Sequence, residues 1–303
     1  MSGAASLQPV LPHYLRDALR HDIVRRLVNE ARRHETGHPG GRVVWHEWGS
    51  GPTIVLLHGG FGSWLHWVRN IEPLSARFRL LAADLPGLGE SDAVLPSKPT
   101  AAEVAQPLVS GLAGLLPAEE PLRLVCFSLG AVIGGQVALA LRARVERVML
   151  LGPSGLGEMW RNVTTHLMRR RPDMSEEERR VTIRHNLLHS MIASEAAIDD
   201  LAMDLQSDLV RQKRQLIGLP LSLSDALTSA IPVLAPRLGI VWGEKDCYPT
   251  PDVATVARRL EESFPGLRTG IIPGAGHWVA YEAAEAVSAM LLETFSGKES
   301  IRE

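Results

Sequence analysis

Three separated stretches carry side chains that together could activate a hydroxyl for attack on an acyl carbon. Ser128 lies in Cys126-Phe127-Ser128-Leu129-Gly130, Asp246 in Trp242-Gly243-Glu244-Lys245-Asp246, and His277 in Gly274-Ala275-Gly276-His277-Trp278. A serine hydroxyl is a poor nucleophile at its own pKa. An imidazole must take its proton, and a carboxylate must fix that imidazole's tautomer and stabilise its cation. For the carboxylate, Asp246 competes with Glu244 in the same loop and with Asp252 further on. The tetrahedral adduct needs two preorganised donors. The N–H of Leu129 is one candidate, and the glycine-rich run His58-Gly59-Gly60-Phe61-Gly62 offers the other from Gly60, with Phe61 as the fallback. His58 itself reads as a structural hydrogen-bonding residue of that run, since His277 fits the base better.

These residues need a scaffold that aims them at one point. Short apolar or β-branched runs at 42–47, 53–57, 79–83, 122–127, 145–151, 238–242 and 267–272 alternate with helical patterns. That alternation predicts a mostly parallel sheet covered by helices, an α/β fold. Ser128 then sits on a tight strand-to-helix turn, where small neighbours are required two residues before and after it. Gly130 meets the second requirement, and Cys126 stands where glycine is commoner. The helix after Ser128 aims its positive end at the developing oxyanion. Thr100 with Glu103, and Ser175 with Glu178, have capping-box spacing and open two further helices.

Between 151 and 238 the strand signal vanishes and helical patterns replace it, including Ile198, Leu201, Leu205 and Leu209 at helical spacing. An insertion after a strand's carboxyl end lands over the crevice where ligands bind. At the other end of the chain, Leu15, Leu19, Ile23, Leu27 and Ala31 draw one stripe on an amphipathic helix predicted from 11 to about 35, and Gly37, Pro39, Gly40 and Gly41 read as a break. That helix is expected to pack on the domain or on a partner subunit, so a homo-oligomer is among the partners the sequence allows.

The His58-Gly59 turn, the run Asp84-Leu85-Pro86-Gly87-Leu88-Gly89-Glu90-Ser91, Ser128, Asp246 and His277, in this order, resemble the α/β-hydrolase superfamily over about 43–295. The resemblance implies an eight-stranded, mostly parallel sheet flanked by helices. It divides the chain into an N-terminal helix and linker at 1–41, a hydrolase core at 42–154 and 230–303, and a helical cap at 155–229 inserted after the sixth strand. Trp242-Gly243-x-x-Asp246-x-x-Pro249 resembles the family's acid loop and so favours Asp246, and Asp84 is implied to shape its loop without catalysing. Serine at 128, in place of aspartate, speaks against the haloalkane dehalogenase and epoxide hydrolase branches.

Phe61, Trp64, Phe127, Trp160 and Trp278 are expected to line the site, with Met159, Leu167 and Met168 closing it from above; such a lining favours a hydrophobic acyl group. The expected substrate is a small to medium hydrophobic carboxylic ester, cleaved through an acyl-enzyme without metal or other cofactor. A rival is carbon–carbon hydrolysis of dienol-keto acids, because 152–157, His277-Trp278 and 64–71 resemble that group. Its members are implied to hold asparagines where this chain has Phe127 and His66, although Arg211 and Arg214 could still meet a carboxylate. A reading of another class is a non-catalytic ligand receptor on the same fold.

Composition excludes several other roles. With 32 Lys and Arg against 34 Asp and Glu, a net charge of −2 gives no reason to expect nucleic acid or an anionic membrane. Two cysteines, Cys126 and Cys247, are too few for a disulfide framework or a thiolate zinc site. His185 and His189 stand four apart on a predicted helix but lack a glutamate after the first histidine and a third ligand, so they read as a solvated face. No apolar run approaches the ~20 residues of a membrane span and none of signal-peptide length begins the chain, so a cytoplasmic location is expected.

Overall fold

The computed structural model describes residue 12 and residues 14–92, 95–211 and 218–297. Eight strands form one sheet: β1 (Arg32–His38), β2 (Gly41–Trp48), β3 (Thr53–Leu57), β4 (Arg79–Ala83), β5 (Leu122–Phe127), β6 (Val145–Leu151), β7 (Leu238–Gly243) and β8 (Arg268–Ile272). Their spatial order is β1-β2-β4-β3-β5-β6-β7-β8; the pairs β1–β2 and β2–β4 are antiparallel and all others parallel.

The central strands are apolar almost throughout because both sheet faces are covered. Successive residues alternate between two cores. Val55, Leu57, Leu124, Cys126, Val148, Leu150 and Trp242 face one, beneath the helices Ala101–Leu115, Leu129–Ala140 and Val253–Ser263. Ile54, Leu56, Val125, Phe127, Met149, Leu151 and Val241 face the other, which the helix Ala284–Phe295 and the Trp64–Trp67 turn close. Both capping boxes form, Thr100 with Glu103 and Ser175 with Glu178, each joining a hydroxyl and a carboxylate to the other residue's backbone N–H.

The sequence reading is corrected at the N-terminus. Residues 32–35 do not continue a helix, which ends at Glu30; they belong to β1, which pairs along its whole length with β2 through the two-residue turn Pro39-Gly40. The polar sequence of β1 carries no alternating apolar signal, since it is an edge strand whose side chains remain partly exposed. Ionic contacts secure it instead. Glu47 on β2 accepts from Arg32 at 2.6 Å, His34 at 2.8 Å and Arg79 of β4 at 3.0 Å.

The shortened helix Asp22–Glu30 packs on this same chain, burying Val24, Leu27 and Val28, with Trp48 Nε1 donating to the Leu27 carbonyl at 2.8 Å. The start assigned to it at Leu11 lies outside the described residues, and residues 14–21 do not continue the helix, holding only the 3-10 turn Ala18–Arg20. Ahead of the helix, the backbone N–H groups of Arg16, Asp17 and Ala18 converge on the buried carboxylate of Asp208 at 2.9, 3.1 and 2.9 Å. Asp208 belongs to the helix Asp200–Arg211, one of the helices that occupy the interval between β6 and β7. Among the described residues, no helix is long and apolar enough to cross a membrane.

Candidate active site

The carboxyl ends of β5, β7 and β8 bring the three chemically matched side chains together. Ser128 follows β5 directly, with φ 53° and ψ −117°, and precedes the helix Leu129–Ala140. A non-glycine residue in this region carries strain of about 1–3 kcal/mol. Here the surrounding structure fixes it, because Ser128 N–H donates to the Leu151 carbonyl at 3.1 Å and its own carbonyl accepts from Ala131 at 2.9 Å. Gly130 is required two residues on: a Cβ there would lie 2.3 Å from the Leu57 carbonyl oxygen. Cys126 fits two residues before the serine because Gly134 faces it without a side chain, and an added Cβ at Gly134 would come 2.3 Å from its sulfur.

His277 Nε2 lies 3.0 Å from Ser128 Oγ, and its Nδ1 lies 2.8 Å from Asp246 Oδ2. With a carboxylate at Nδ1, the ring donates there and leaves Nε2 to accept the serine proton. Asp246 and His277 are 6% and 3% exposed, whereas Ser128 is half-buried and reachable. Asp246 Oδ1 accepts the Tyr248 backbone N–H at 3.0 Å, so both carboxylate oxygens are engaged. The acid and histidine loops are brought together at Gly243, where a Cβ would strike the Gly276 and Ala275 carbonyls at 2.2 and 2.3 Å.

The competing acids are occupied elsewhere: Glu244 accepts from Gly274 N–H at 2.8 Å, and Asp252 caps its helix by accepting from Thr255 N–H at 2.8 Å. His58 is fully buried and both its ring nitrogens are used. Nε2 accepts from Leu85 N–H at 2.9 Å, so Nδ1 carries the proton and donates to the Gly59 carbonyl at 2.7 Å. Asp84 builds its loop, accepting from Trp64 N–H and Glu90 N–H, each at 2.9 Å. Burial alone would raise its pKa, but His46 and the Glu90 amide overcome that and hold it below the ordinary value.

Gly60 lies beside Leu129, an added Cβ falling 3.8 Å from a Leu129 methyl, so the two candidate oxyanion donors occupy one neighbourhood. Phe61, the fallback, has a positive φ of 57° and a ring 47% exposed.

The expected lining is partly redistributed. Trp64 is a core residue, packed on His46 and Trp48 with ring centroids 5.2 Å away in each case. Trp278 is also fully buried, donating from Nε1 to the His66 carbonyl at 3.0 Å and stacking on Tyr281. A backbone signal for loop position does not report which way an indole turns, and both rings turn into the apolar core. Phe127 lies against the His277 ring at 5.0 Å. Trp160 stacks on Tyr248 at 4.7 Å and 12°, and Tyr248 in turn faces His277. Met168 is exposed, and Arg211 and Arg214 lie outside the described side chains.

Tyr248 and His66 were missed as site residues. Tyr248 had a signal, its place two residues after the acid; His66 had been noted only as a departure from asparagine. Backbone hydrogen bonds also tie the Tyr248 loop to the helical insertion: Arg161 N–H donates to the Tyr248 carbonyl at 2.9 Å and Thr250 N–H to the Met159 carbonyl at 3.0 Å.

The cysteines are free and unreactive by environment: burial raises Cys126 far above the usual thiol range, and burial together with the Asp246 charge pushes Cys247 up to about 12. His185 and His189 stack on each other at 3.9 Å. Among the described residues, His46, Asp84 and Glu90 form the one cluster with metal-ligand potential, their donor atoms lying within 4.8 Å of one another. A guanidinium nitrogen of Arg33 already stands 3.5 Å from Glu90 Oε2 and would oppose a cation there.

A family model described as the alpha/beta hydrolase family matches residues 54–290, and the chain belongs to that family. The chain is 27% identical over 264 residues to a 2-hydroxy-6-oxo-6-phenylhexa-2,4-dienoate hydrolase of Burkholderia cepacia, covering 83% of this chain and 90% of the relative. Among solved structures, carboxylesterase CesB of Bacillus subtilis superposes with a TM-score of 0.68 at 19% identity, over 93% of this chain and 99% of that one. The meta-cleavage product hydrolase CumD of Pseudomonas fluorescens gives 0.65 at 18% identity, over 85% and 95%. At such identities the structural likeness speaks for the fold alone.

Proposed function

We propose that this chain is a serine hydrolase of small to medium hydrophobic carboxylic esters. The observation that carries the reading is the unbroken line from Asp246 through His277 to Ser128, at 2.8 and 3.0 Å. His277 takes the Ser128 proton as Oγ attacks the acyl carbon, and the adduct's negative oxygen is held by the N–H groups of Leu129 and Gly60. His277 then returns the proton to the leaving alkoxide, leaving an acyl-enzyme. Water, deprotonated by the same imidazole, releases the acid. The helical insertion at 155–229 acts as a cap, and the Trp160–Tyr248 stack supplies an apolar wall beside the imidazole.

A second reading is carbon–carbon bond hydrolysis of meta-cleavage products, supported by the likeness to the Burkholderia dienoate hydrolase over most of both chains. Phe127 and His66 weigh against it, because neither side chain reproduces the amide donors and acceptors of the asparagines implied at those places. The deciding measurement is kcat/KM on p-nitrophenyl acyl esters of increasing length against kcat/KM on a meta-cleavage product. A hundredfold preference for the latter, about 2.7 kcal/mol in barrier, overturns the ester reading. Failure of a fluorophosphonate to label Ser128 in the folded protein overturns catalysis altogether.

A further inference from the structure

The turn that presents Gly60 is wrapped round an imidazole. Gly59 N–H donates to His66 Nδ1 at 3.2 Å. A backbone N–H can only donate, so Nδ1 carries no proton and serves as the acceptor. Gly62 lies flat on the same ring: an added Cβ would fall 2.2 to 2.8 Å from three of its atoms. The ring is buried and fixed, edge-on to Phe127 at 5.3 Å and beside Trp278 at 5.1 Å, while its own carbonyl receives the Trp278 indole N–H at 3.0 Å.

The other face of Gly59 lies against the nucleophile. A Cβ on Gly59 would meet the Phe127 ring at 2.9 Å and Ser128 Cβ at 3.1 Å. The Gly59 carbonyl accepts from His58 Nδ1 at 2.7 Å and from Gly62 N–H at 3.2 Å. In a planar trans peptide, fixing that carbonyl directs the Gly60 N–H the opposite way. Both ends of Gly59 are therefore held by side-chain imidazoles, His66 at its N–H and His58 at its carbonyl.

We infer that His66 is a positioning residue for the oxyanion donor: its Nδ1 anchors Gly59 and so sets the Gly60 N–H relative to Ser128. The inference rests on the serine hydrolase reading and goes beyond it by giving a task to a side chain that otherwise looks like a lost substrate ligand. An oxyanion donor acts on the transition state more than on the bound ester, so the effect belongs in kcat.

The test compares H66F, which keeps a ring without an acceptor, with H66N, whose Oδ1 stands the same number of bonds from Cα as Nδ1. With a p-nitrophenyl ester, H66F is expected to lose roughly tenfold to a hundredfold in kcat with KM within about threefold, by comparison with loss of a whole donor. H66N is expected to recover most of that loss. Affinity for a boronic acid that forms a tetrahedral adduct on Ser128 should fall in H66F by a factor similar to kcat. H66F with undiminished kcat, or H66N no better than H66F, overturns the inference while an active parent and an inactive S128A leave the hydrolase reading standing. A parent that neither turns over ester nor accepts fluorophosphonate overturns both. If H66F does not fold, H66A, which removes the acceptor without enlarging the side chain, is read in its place.

Discussion

Tyr248 stands over His277 with ring centroids 4.3 Å apart, while its backbone N–H donates to Asp246 Oδ1 at 3.0 Å. One residue thus steadies the acid through its main chain and shields the imidazole through its ring, and the ring is itself backed by Trp160. The two roles are separable, because the main-chain bond survives side-chain truncation. Y248F should keep kcat within about threefold of the parent. Y248A should lose roughly twofold to tenfold in kcat/KM on long acyl esters, the value of a lost aromatic pair of about 0.5–1.5 kcal/mol, and less on acetate. A chain-length series measured on all three proteins checks this; equal losses at every length would contradict the wall.

Asp246 holds the His277 Nδ1 proton and leaves Nε2 facing Ser128. D246N should invert that tautomer and lower kcat by roughly 10³ to 10⁴ with a smaller change in KM, as expected for a triad acid. D252A serves as the comparison, since Asp252 caps the helix Val253–Ser263 and its truncation costs stability alone, about 1 kcal/mol. Steady-state kinetics on the two variants distinguish them, and comparable activity loss in both would remove Asp246 from its assigned place.

Seven of the eight strands were legible as apolar or β-branched runs, and the three motifs whose side chains meet at Ser128, Asp246 and His277 sit at strand ends. β1 was illegible for a physical reason. Arg32–His38 is held by backbone pairing to β2 and by Glu47, neither of which leaves a periodic pattern in side-chain polarity. Of the stripe Leu15, Leu19, Ile23, Leu27 and Ala31, only Ile23 and Leu27 lie on the helix Asp22–Glu30; Leu19 belongs to a separate 3-10 turn, Leu15 precedes that turn and Ala31 is extended, because an apolar spacing of four does not mark where a helix starts or stops. The lining residues were half legible. Phe127, the last residue of β5, lies beside His277 and Trp160 adjoins it through Tyr248, whereas the burial of Trp64 and Trp278 depends on tertiary partners, His46, Trp48 and Tyr281, that no local pattern names.

Glu47 should make the sheet's edge sensitive to acid. Burial alone would raise its pKa, but hydrogen bonds and charge from Arg79 and Arg32 overcome burial and hold it at about 2 against an ordinary 4.5. A carboxylate whose pKa is depressed on folding contributes stability that is complete above its unfolded pKa and is lost as pH falls through its folded one. The contribution is therefore full above about pH 5.5, declines below about 4.5, and is gone near 2. E47Q should be less stable than the parent at neutral pH, and the gap should close on acidification. Urea midpoints at several pH values measure it; a gap that stays constant from neutral pH to pH 3 would show that Glu47 is not the titrating group.

Asp208 ties the start of the chain to the helical insertion, since three consecutive backbone N–H groups, from Arg16, Asp17 and Ala18, close on one buried carboxylate. Replacing the acceptor by a methyl strands all three donors at once. A buried donor left without a partner costs about 1–3 kcal/mol, and solvent entering the exposed side of the strap offsets part of that. D208A should therefore lose about 2–4 kcal/mol in unfolding free energy and should open the chain near 14–21 to limited proteolysis. Its kcat should stay near the parent value, because the carboxylate touches none of Ser128, Asp246 and His277. On the same helix Asp204 contacts Arg20, His21 and Arg180; both arginines are roughly half exposed, and these contacts should matter less. D204A is accordingly expected to fall between the parent and D208A, and the reverse order in urea denaturation would mean that the ion pairs, rather than the three amides, hold the strap.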